Sequence, residues 1–243
     1  MEKIRLSKLM AQQGLCSRRE ADSYIERGWV YVDGQQVATL GTKVYPDQTI
    51  TLDVRAEARQ AGAATILLNK PVGFVSGQAE KGYVAAVSLV TRATRFKGDH
   101  SERRFRNDDL KGLAPAGRLD IDSSGLLVLT QDGRIARQLI GQNSTIEKEY
   151  LVRVQGTLSK AGMRLLHHGL SLDGRALKAA RVSWVNAQQL RFILTEGRKR
   201  QIRRMCEQVN IQVTALKRVR IGKVLLGRLP TGQWRYLGDD EEF

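Results

Sequence analysis

The sequence predicts an α+β fold in two unequal parts: a small N-terminal domain over residues 1–54 and a larger one over 65–243, which holds a mostly antiparallel mixed sheet with flanking helices. Three observations carry this. Apolar runs of strand length outnumber helical patterns and are joined by short turns, which suits segregated elements. Residues 55–64 are small or charged with no apolar period and read as a linker. At 243 residues and 42% hydrophobic content, the chain has enough apolar material for a substantial core.

In the N-terminal part, Arg5 to Gln13 places Leu6, Leu9 and Met10 on one helix side, and Gly14 is suited to cap its end. Ser17-Arg18-Arg19-Glu20 has the form of a capping box, in which the first and fourth side chains satisfy each other's backbone N–H. It opens a helix to about Arg27 with Ala21 and Ile25 on one face. Val30 to Val37 reads as a hairpin about Asp33-Gly34, residues that tolerate the positive φ of a tight turn. Thr49 to Val54 is a further strand.

In the larger part, Thr65 to Lys70 is a strand stopped by Pro71. Thr91 to Lys111 carries seven basic and four acidic residues with few apolar ones, and is expected to be a flexible basic loop. Leu126 to Leu129 is a buried strand, followed by a helix over Arg134 to Ile140. Glu149 to Val154 is a strand and Lys160 to His168 a helix. Arg181 to Asn186 and Gln189 to Thr195 read as paired strands. Ile202, Met205, Cys206 and Val209 recur at helical spacing, so Arg198 to Val209 is a helix. Val213 to Ile221 closes the series as a strand.

The charge narrows the partner. Forty Lys and Arg against 25 Asp and Glu give +15, a balance that suits a polyanion, usually nucleic acid. Ten basic and two acidic residues lie between Arg191 and Lys223, with Arg200, Arg203 and Arg204 expected on one helix side as a phosphate footprint. No apolar run is long enough to span a bilayer, and the N-terminus lacks a secretory pattern, so no membrane partner and a cytoplasmic location are expected. Cys16 and Cys206 stand alone, and His100, His167 and His168 form no pattern with them; no metal site is expected.

The chemistry centres on Gly117-Arg118-Leu119-Asp120-Ile121-Asp122-Ser123-Ser124-Gly125, a polar loop between glycines beside the apolar strand. A calcium loop would need a bidentate Glu where Gln131 stands. A glycosidase pair would suit a neutral glycan poorly at this charge. A metal-dependent nuclease would want a wider acidic set than Asp108, Asp109 and Asp132 supply. The fourth reading makes Asp120 the reactive group, Arg118 a nucleic-acid contact and Asp122 a turn former. The residues permit this reading without choosing it.

Family resemblance goes further. Cys16-Ser17-Arg18-Arg19-Glu20-Ala21 with Val32-Asp33-Gly34 resembles the S4 RNA-binding domain. Gly117 to Asp120 with Ser124 to Gly133 resembles the motif of pseudouridine synthases of the S4-bearing, ribosomal-RNA branch. Leu68 to Gly73, Glu147 to Tyr150 and Glu196 to Met205 match in order. Arg203 to Glu207 and Gly232 to Arg235 look most like the subgroup acting on the large ribosomal subunit. Ile121, where many relatives carry a charge, and the long stretch 91–111 depart from the pattern and bear on substrate choice.

The resemblance implies Asp120, Tyr150 and Arg203 as catalytic residues, with Arg203 pairing to Asp120 and Tyr150 stacking on the base. Ile202 or Leu126 would line the pocket, and Arg118 would fill the space of an extruded uridine. Arg5, Lys8, Arg18, Arg19, Arg198, Arg200 and Arg204 are the further candidate RNA contacts. The implied partner is ribosomal RNA, of the large subunit, or its assembly intermediates. Small-subunit ribosomal RNA or tRNA is the alternative substrate, and a non-catalytic RNA-binding protein the alternative class. The implied chemistry needs neither metal nor organic cofactor, and a monomer is expected.

Overall fold

A computed structural model of the chain describes residues 2–79, 82–141 and 144–243. The N-terminal unit begins with α1 (Leu6–Gln13), ended by Gly14 at φ +82°, and α2 (Arg18–Glu26). The Ser17–Glu20 capping box forms as expected, with the Ser17 N–H donating to Glu20 Oε2 at 2.8 Å and the Glu20 N–H to Ser17 Oγ at 3.2 Å. The strands β1 (Val30–Val32), β2 (Gln35–Val37) and β3 (Ile50–Leu52) make a small antiparallel sheet. Asp33 and Gly34 both take positive φ at the turn. Leu6, Met10, Ala21, Tyr24 and Ile25 form its core.

The linker expectation is corrected. Residues Val54–Ala61 form a helix, α3, capped by the Asp53 carboxylate on the Arg55 N–H. Its buried face holds Ala56 and Gln60. Ala56 joins the N-terminal core, and Gln60 Nε2 donates to the Leu15 carbonyl at 2.7 Å.

The larger unit is built on one mixed sheet. Its strands are β4 (Thr65–Lys70), β5 (Ser124–Thr130), β6 (Lys148–Gln155), β7 (Arg181–Asn186), β8 (Gln189–Leu194), β9 (Gln212–Ile221) and β10 (Trp234–Tyr236). Their spatial order is β7-β8-β6-β9-β5-β4-β10, with two short strands paired at the side. Every pairing in it is antiparallel except β5 with β9, where Ser124 and Gly125 face Lys217 and Arg218. Helices α4 (Gly133–Ile140), α5 (Lys160–His167) and α6 (Gln201–Gln208) flank it. Leu127 and Leu129 enter one core and Leu126 and Val128 another, so both sheet faces are covered there. That is why β5 reads as a continuous apolar run.

The stretch Thr91–Lys111 is irregular, as expected, but it is anchored rather than loose. Arg95 pairs with Asp99 at 2.8 Å and donates to the carbonyls of Ser101 and Arg103. Asp109, 3% exposed, accepts from Arg103 and from the Tyr236 hydroxyl, both at 2.6 Å. Phe105 packs on Trp234. Helix α6 also starts later than expected: Arg198 to Arg200 precede it, and Arg200 sits at φ +53°.

The parallel contact depends on Gly125. It lies at φ +104°, and a Cβ there would meet the Arg218 carbonyl oxygen at 2.2 Å and its nitrogen at 2.7 Å. Gly125→Ala is therefore expected to lose about 3 kcal/mol, by the combined backbone strain and clash. Gly34→Ala, at φ +79° with nothing within 4 Å, should lose only about 1 kcal/mol. Urea midpoints at unchanged slope give both values.

Candidate active site

The loop 117–125 is held almost entirely by its backbone. Ser76 Oγ donates to the Leu119 carbonyl at 2.7 Å and accepts from its N–H at 2.9 Å. The Ser123 N–H closes a turn on the Asp120 carbonyl, and the Gly73 N–H caps the Ile121 carbonyl. Arg218, reaching across from β9, donates through Nε to the Leu126 carbonyl at 2.7 Å and through Nη1 to that of Arg118 at 3.4 Å. The aspartates are thereby presented on a fixed turn.

Their surroundings differ. Asp122 Oδ2 receives Arg200 Nη1 at 2.9 Å and lies 3.2 Å from Arg203 Nε, an ion contact without hydrogen-bond alignment. Arg203 Nη2 also donates to the Asp122 carbonyl at 2.9 Å, and its Nη1 to that of Val213. The hydrogen bond from Arg200 and the two arginine charges outweigh burial and hold the Asp122 carboxyl below its ordinary value of 3.8. This corrects the expected pairing: the partner of Arg203 is Asp122, because the turn from Asp120 to Ser123 directs the second carboxylate toward α6. Among the described residues no ion pair reaches Asp120, which lies half-buried on the cleft wall.

The cleft has a volume of about 590 Å³, the size class of a small-ligand site. Asp120, Arg118, Tyr150, Ile202 and Arg203 all line it, so the structure brings together the residues singled out from sequence. Leu126 does not; it points into the opposite core with Leu67 and Val128. Lys148 and Arg218 line the cleft and were missed. Lys148 had a signal, since it stands two residues before Tyr150 on one strand and so shares its face. Arg218 had none, because its place depends on the register of β9. Lys70, fully buried, bonds to the carbonyls of Pro71 and Phe74. Burial pushes its ammonium down to about 8 against the pull of Asp120 and Asp122.

The remaining candidate contacts divide. Arg5, Lys8, Arg18 and Arg19 are exposed on or beside α1 and α2 and join no ion pair among the described residues. Arg198 instead spends its guanidinium on the carbonyls of Leu172, Arg175 and Ala176. Arg204 grips Asp173 with two hydrogen bonds. The expected shared helix side is corrected accordingly: Arg200 lies outside the helix, Arg203 is 7% exposed and Arg204 is paired. In the basic cluster from Arg191 to Lys223, Lys199, Lys217 and Arg218 join no ion pair among the described residues.

A basic cleft of nucleoside size thus stands beside a small helix–hairpin unit, and among the described residues the carboxylate of Asp120 on its wall is in no ion pair. The family model for RNA pseudouridylate synthase matches residues 64–208, and that for the S4 domain residues 4–50. The chain belongs to the RNA pseudouridylate synthase family, with an N-terminal S4 domain. It is 38% identical over 240 residues to the dual-specificity RNA pseudouridine synthase RluF of Escherichia coli (strain K12), covering 98% of this chain and 77% of that one. It is 30% identical to an uncharacterized RNA pseudouridine synthase of Aquifex aeolicus, over 99% of this chain and 93% of that one. A crystal structure of a pseudouridylate synthase has the same fold, with TM-score 0.65 and 23% identity over 97% of this chain and 96% of that one.

The arginine pairing has a measurable acid limb. A carboxyl held below its ordinary value stabilises the fold above that value, 3.8, and the stabilisation is lost as the pH falls through its folded-state value. Asp122 is 39% exposed in its side chain, so solvent screening keeps the contribution under about 1 kcal/mol. The difference in unfolding free energy between wild type and Asp122→Asn should be flat above about pH 5 and shrink toward pH 3. Chemical denaturation across that range reads it.

Proposed function

We propose that this chain isomerises a specific uridine of folded ribosomal RNA, in the large subunit, to pseudouridine, with Asp120 as the reacting carboxylate. The observation that carries the reading is the asymmetry of the loop. Asp122 is held by two arginines, whereas Asp120 faces a basic, nucleoside-sized cleft with no ion pair among the described residues. A carboxylate left uncommitted beside cations is suited to act on the ribose side of a nucleotide.

In this reading the bond between C1′ and N1 of the uridine breaks and one between C1′ and C5 forms. A proton leaves C5 and one is taken up at N1, so the reaction is an isomerisation with no external reactant. Tyr150, 8% exposed on the cleft wall, offers its ring to the base. A uridine in folded RNA must first leave its stack, at a cost of a few kcal/mol, and Arg118 is exposed at the cleft rim to fill the space. Arg203 is a positioning residue, since it holds the carbonyl and carboxylate of Asp122, two residues beyond Asp120. Labour divides along the chain: residues 1–54 grip RNA through Arg5, Lys8, Arg18 and Arg19, and residues 65–243 perform the chemistry. Arg200 and Lys199, which line the cleft, extend the phosphate contacts.

Pseudouridine mapping of ribosomal RNA and tRNA from cells lacking the protein tests this. Wild type is expected to restore a large-subunit site and Asp120→Asn, at equal abundance, to restore none. Full restoration by Asp120→Asn would remove Asp120 from the chemistry. Loss confined to tRNA or the small subunit would replace the substrate.

A further inference from the structure

We propose that the wall of the cleft made by Lys148, Lys178 and Arg218 is a phosphodiester subsite, which takes the phosphate of the nucleotide whose base lies on Tyr150. The inference rests on reading the cleft as the uridine site and adds a recognition element to it. Lys148 and Tyr150 are two apart on β6, and Arg218 is the cross-strand partner of Tyr150 on β9. All three therefore share one face of the sheet, the face that lines the cleft. A two-residue step along a strand is about 7 Å, comparable to the reach from a pyrimidine ring to its own phosphate.

Among the described residues, these cations join no ion pair, so they lack the counter-charge that a folded protein ordinarily supplies. Arg218 is 2% exposed, and its Nη2 has no hydrogen-bond partner, while its other two nitrogens bond only to carbonyls. The ammonium of Lys148 is half-buried and donates to one carbonyl, that of Ile146, at 3.1 Å. Burial first, then Arg218 and Lys178, push it down to about 8. The acids that line the cleft are Asp120 and Glu196. Glu196 is committed elsewhere: its Oε1 accepts from the Lys178 N–H and from Gln201, and its Oε2 lies 3.7 Å from Arg198. Three cations grouped beside an aromatic ring, two of them withdrawn from water without a carboxylate, are stabilised when an anion arrives. The anion that accompanies a base on Tyr150 is its phosphate.

The test uses the full chain, a fluorescein-labelled single-stranded oligouridylate as reporter, and competition by uridine, uridine 3′-monophosphate, uridine 5′-monophosphate and inorganic phosphate. One of the two nucleotides is expected to compete about tenfold better than uridine in wild type and in Lys148→Arg, the worth of one charge-assisted contact. The advantage should fall to about twofold or less in Lys148→Met, checked to unfold at the wild-type temperature. An equal advantage in wild type and Lys148→Met overturns the proposal. So does inorganic phosphate competing as well as the nucleotide, because the site would then take bare anions. Asp120→Asn should show the wild-type advantage while forming no pseudouridine. The binding result and the isomerisation result therefore fail separately.

Discussion

The close parallel approach of β5 and β9 is the contact on which the site depends. Gly125 removes the Cβ that would strike the Arg218 backbone, and the two strands can then meet at the C-terminal end of the aspartate loop. That approach delivers the Arg218 side chain under the loop, where it binds carbonyls on both flanks, at Arg118 and Leu126. A loop rich in Asp and Ser would otherwise have many turn conformations open to it. Here the entropy of ordering is met within the sheet, and the carboxylates themselves take no part in holding the loop's flanks. Glycine and arginine thus act as one device, since neither position serves the loop without the other.

The second constraint is electrostatic. Four cations, Lys70, Arg200, Arg203 and Arg218, surround two aspartates on a turn, and two of the four, Lys70 and Arg218, are withdrawn from water with only carbonyl partners. An excess of buried positive charge costs folding free energy. In a protein whose proposed partner is a polyanion, that cost is offset when the partner binds. Asp122 absorbs Arg200 and Arg203, which keeps both arginines ordered at the cleft and prevents either from neutralising Asp120. The two carboxylates differ in environment while lying two residues apart: Asp122 is held by two arginines, and Asp120 is in no ion pair among the described residues.

Local interactions were legible in the sequence. The Ser17–Glu20 box and the Asp33-Gly34 turn each depend on residues within four positions. Helix α3 was not legible, because one of its two buried residues is Gln60, a polar side chain satisfied by the Leu15 carbonyl 45 residues away. The basic stretch 91–111 looked loose because its anchors are guanidinium bonds to carbonyls and to Asp99 and Asp109, the Tyr236 hydroxyl on Asp109 and one phenyl ring, which leave no apolar period. For the site, the cluster Asp120, Tyr150 and Ile202 could be named from motifs, and the structure brings them together on one wall. The exchange of Asp122 for Asp120 as the Arg203 partner could not, because it turns on a single backbone turn. The commitment of Arg198 to three carbonyls was hidden for the same reason: its acceptors belong to a hairpin about 25 residues upstream.

The same carboxylate that caps α2 also fixes where the RNA-binding unit sits. Glu20 Oε2 accepts from the Ser17 N–H and, across the domain boundary, from the Gly133 N–H at 3.2 Å. Two helix N-termini, each with its partial positive charge, thus share one anion. Gly133 is required there, since a Cβ would lie 2.1 Å from Glu20 Oε2 and 2.2 Å from Ser17 Cβ. Arg137, one turn along, donates to the Gln12 carbonyl at the end of α1. Helix α4 then runs about 12 Å from this junction, and Leu139 and Ile140 at its far end line the cleft. The exposed basic residues of α1 and α2 and the cleft over Asp120 are therefore joined through one short rigid element. In the proposed function, an RNA held by Arg18 and Arg19 would meet the cleft at a distance set by α4, so the rigidity of that helix would enter into which uridine is chosen.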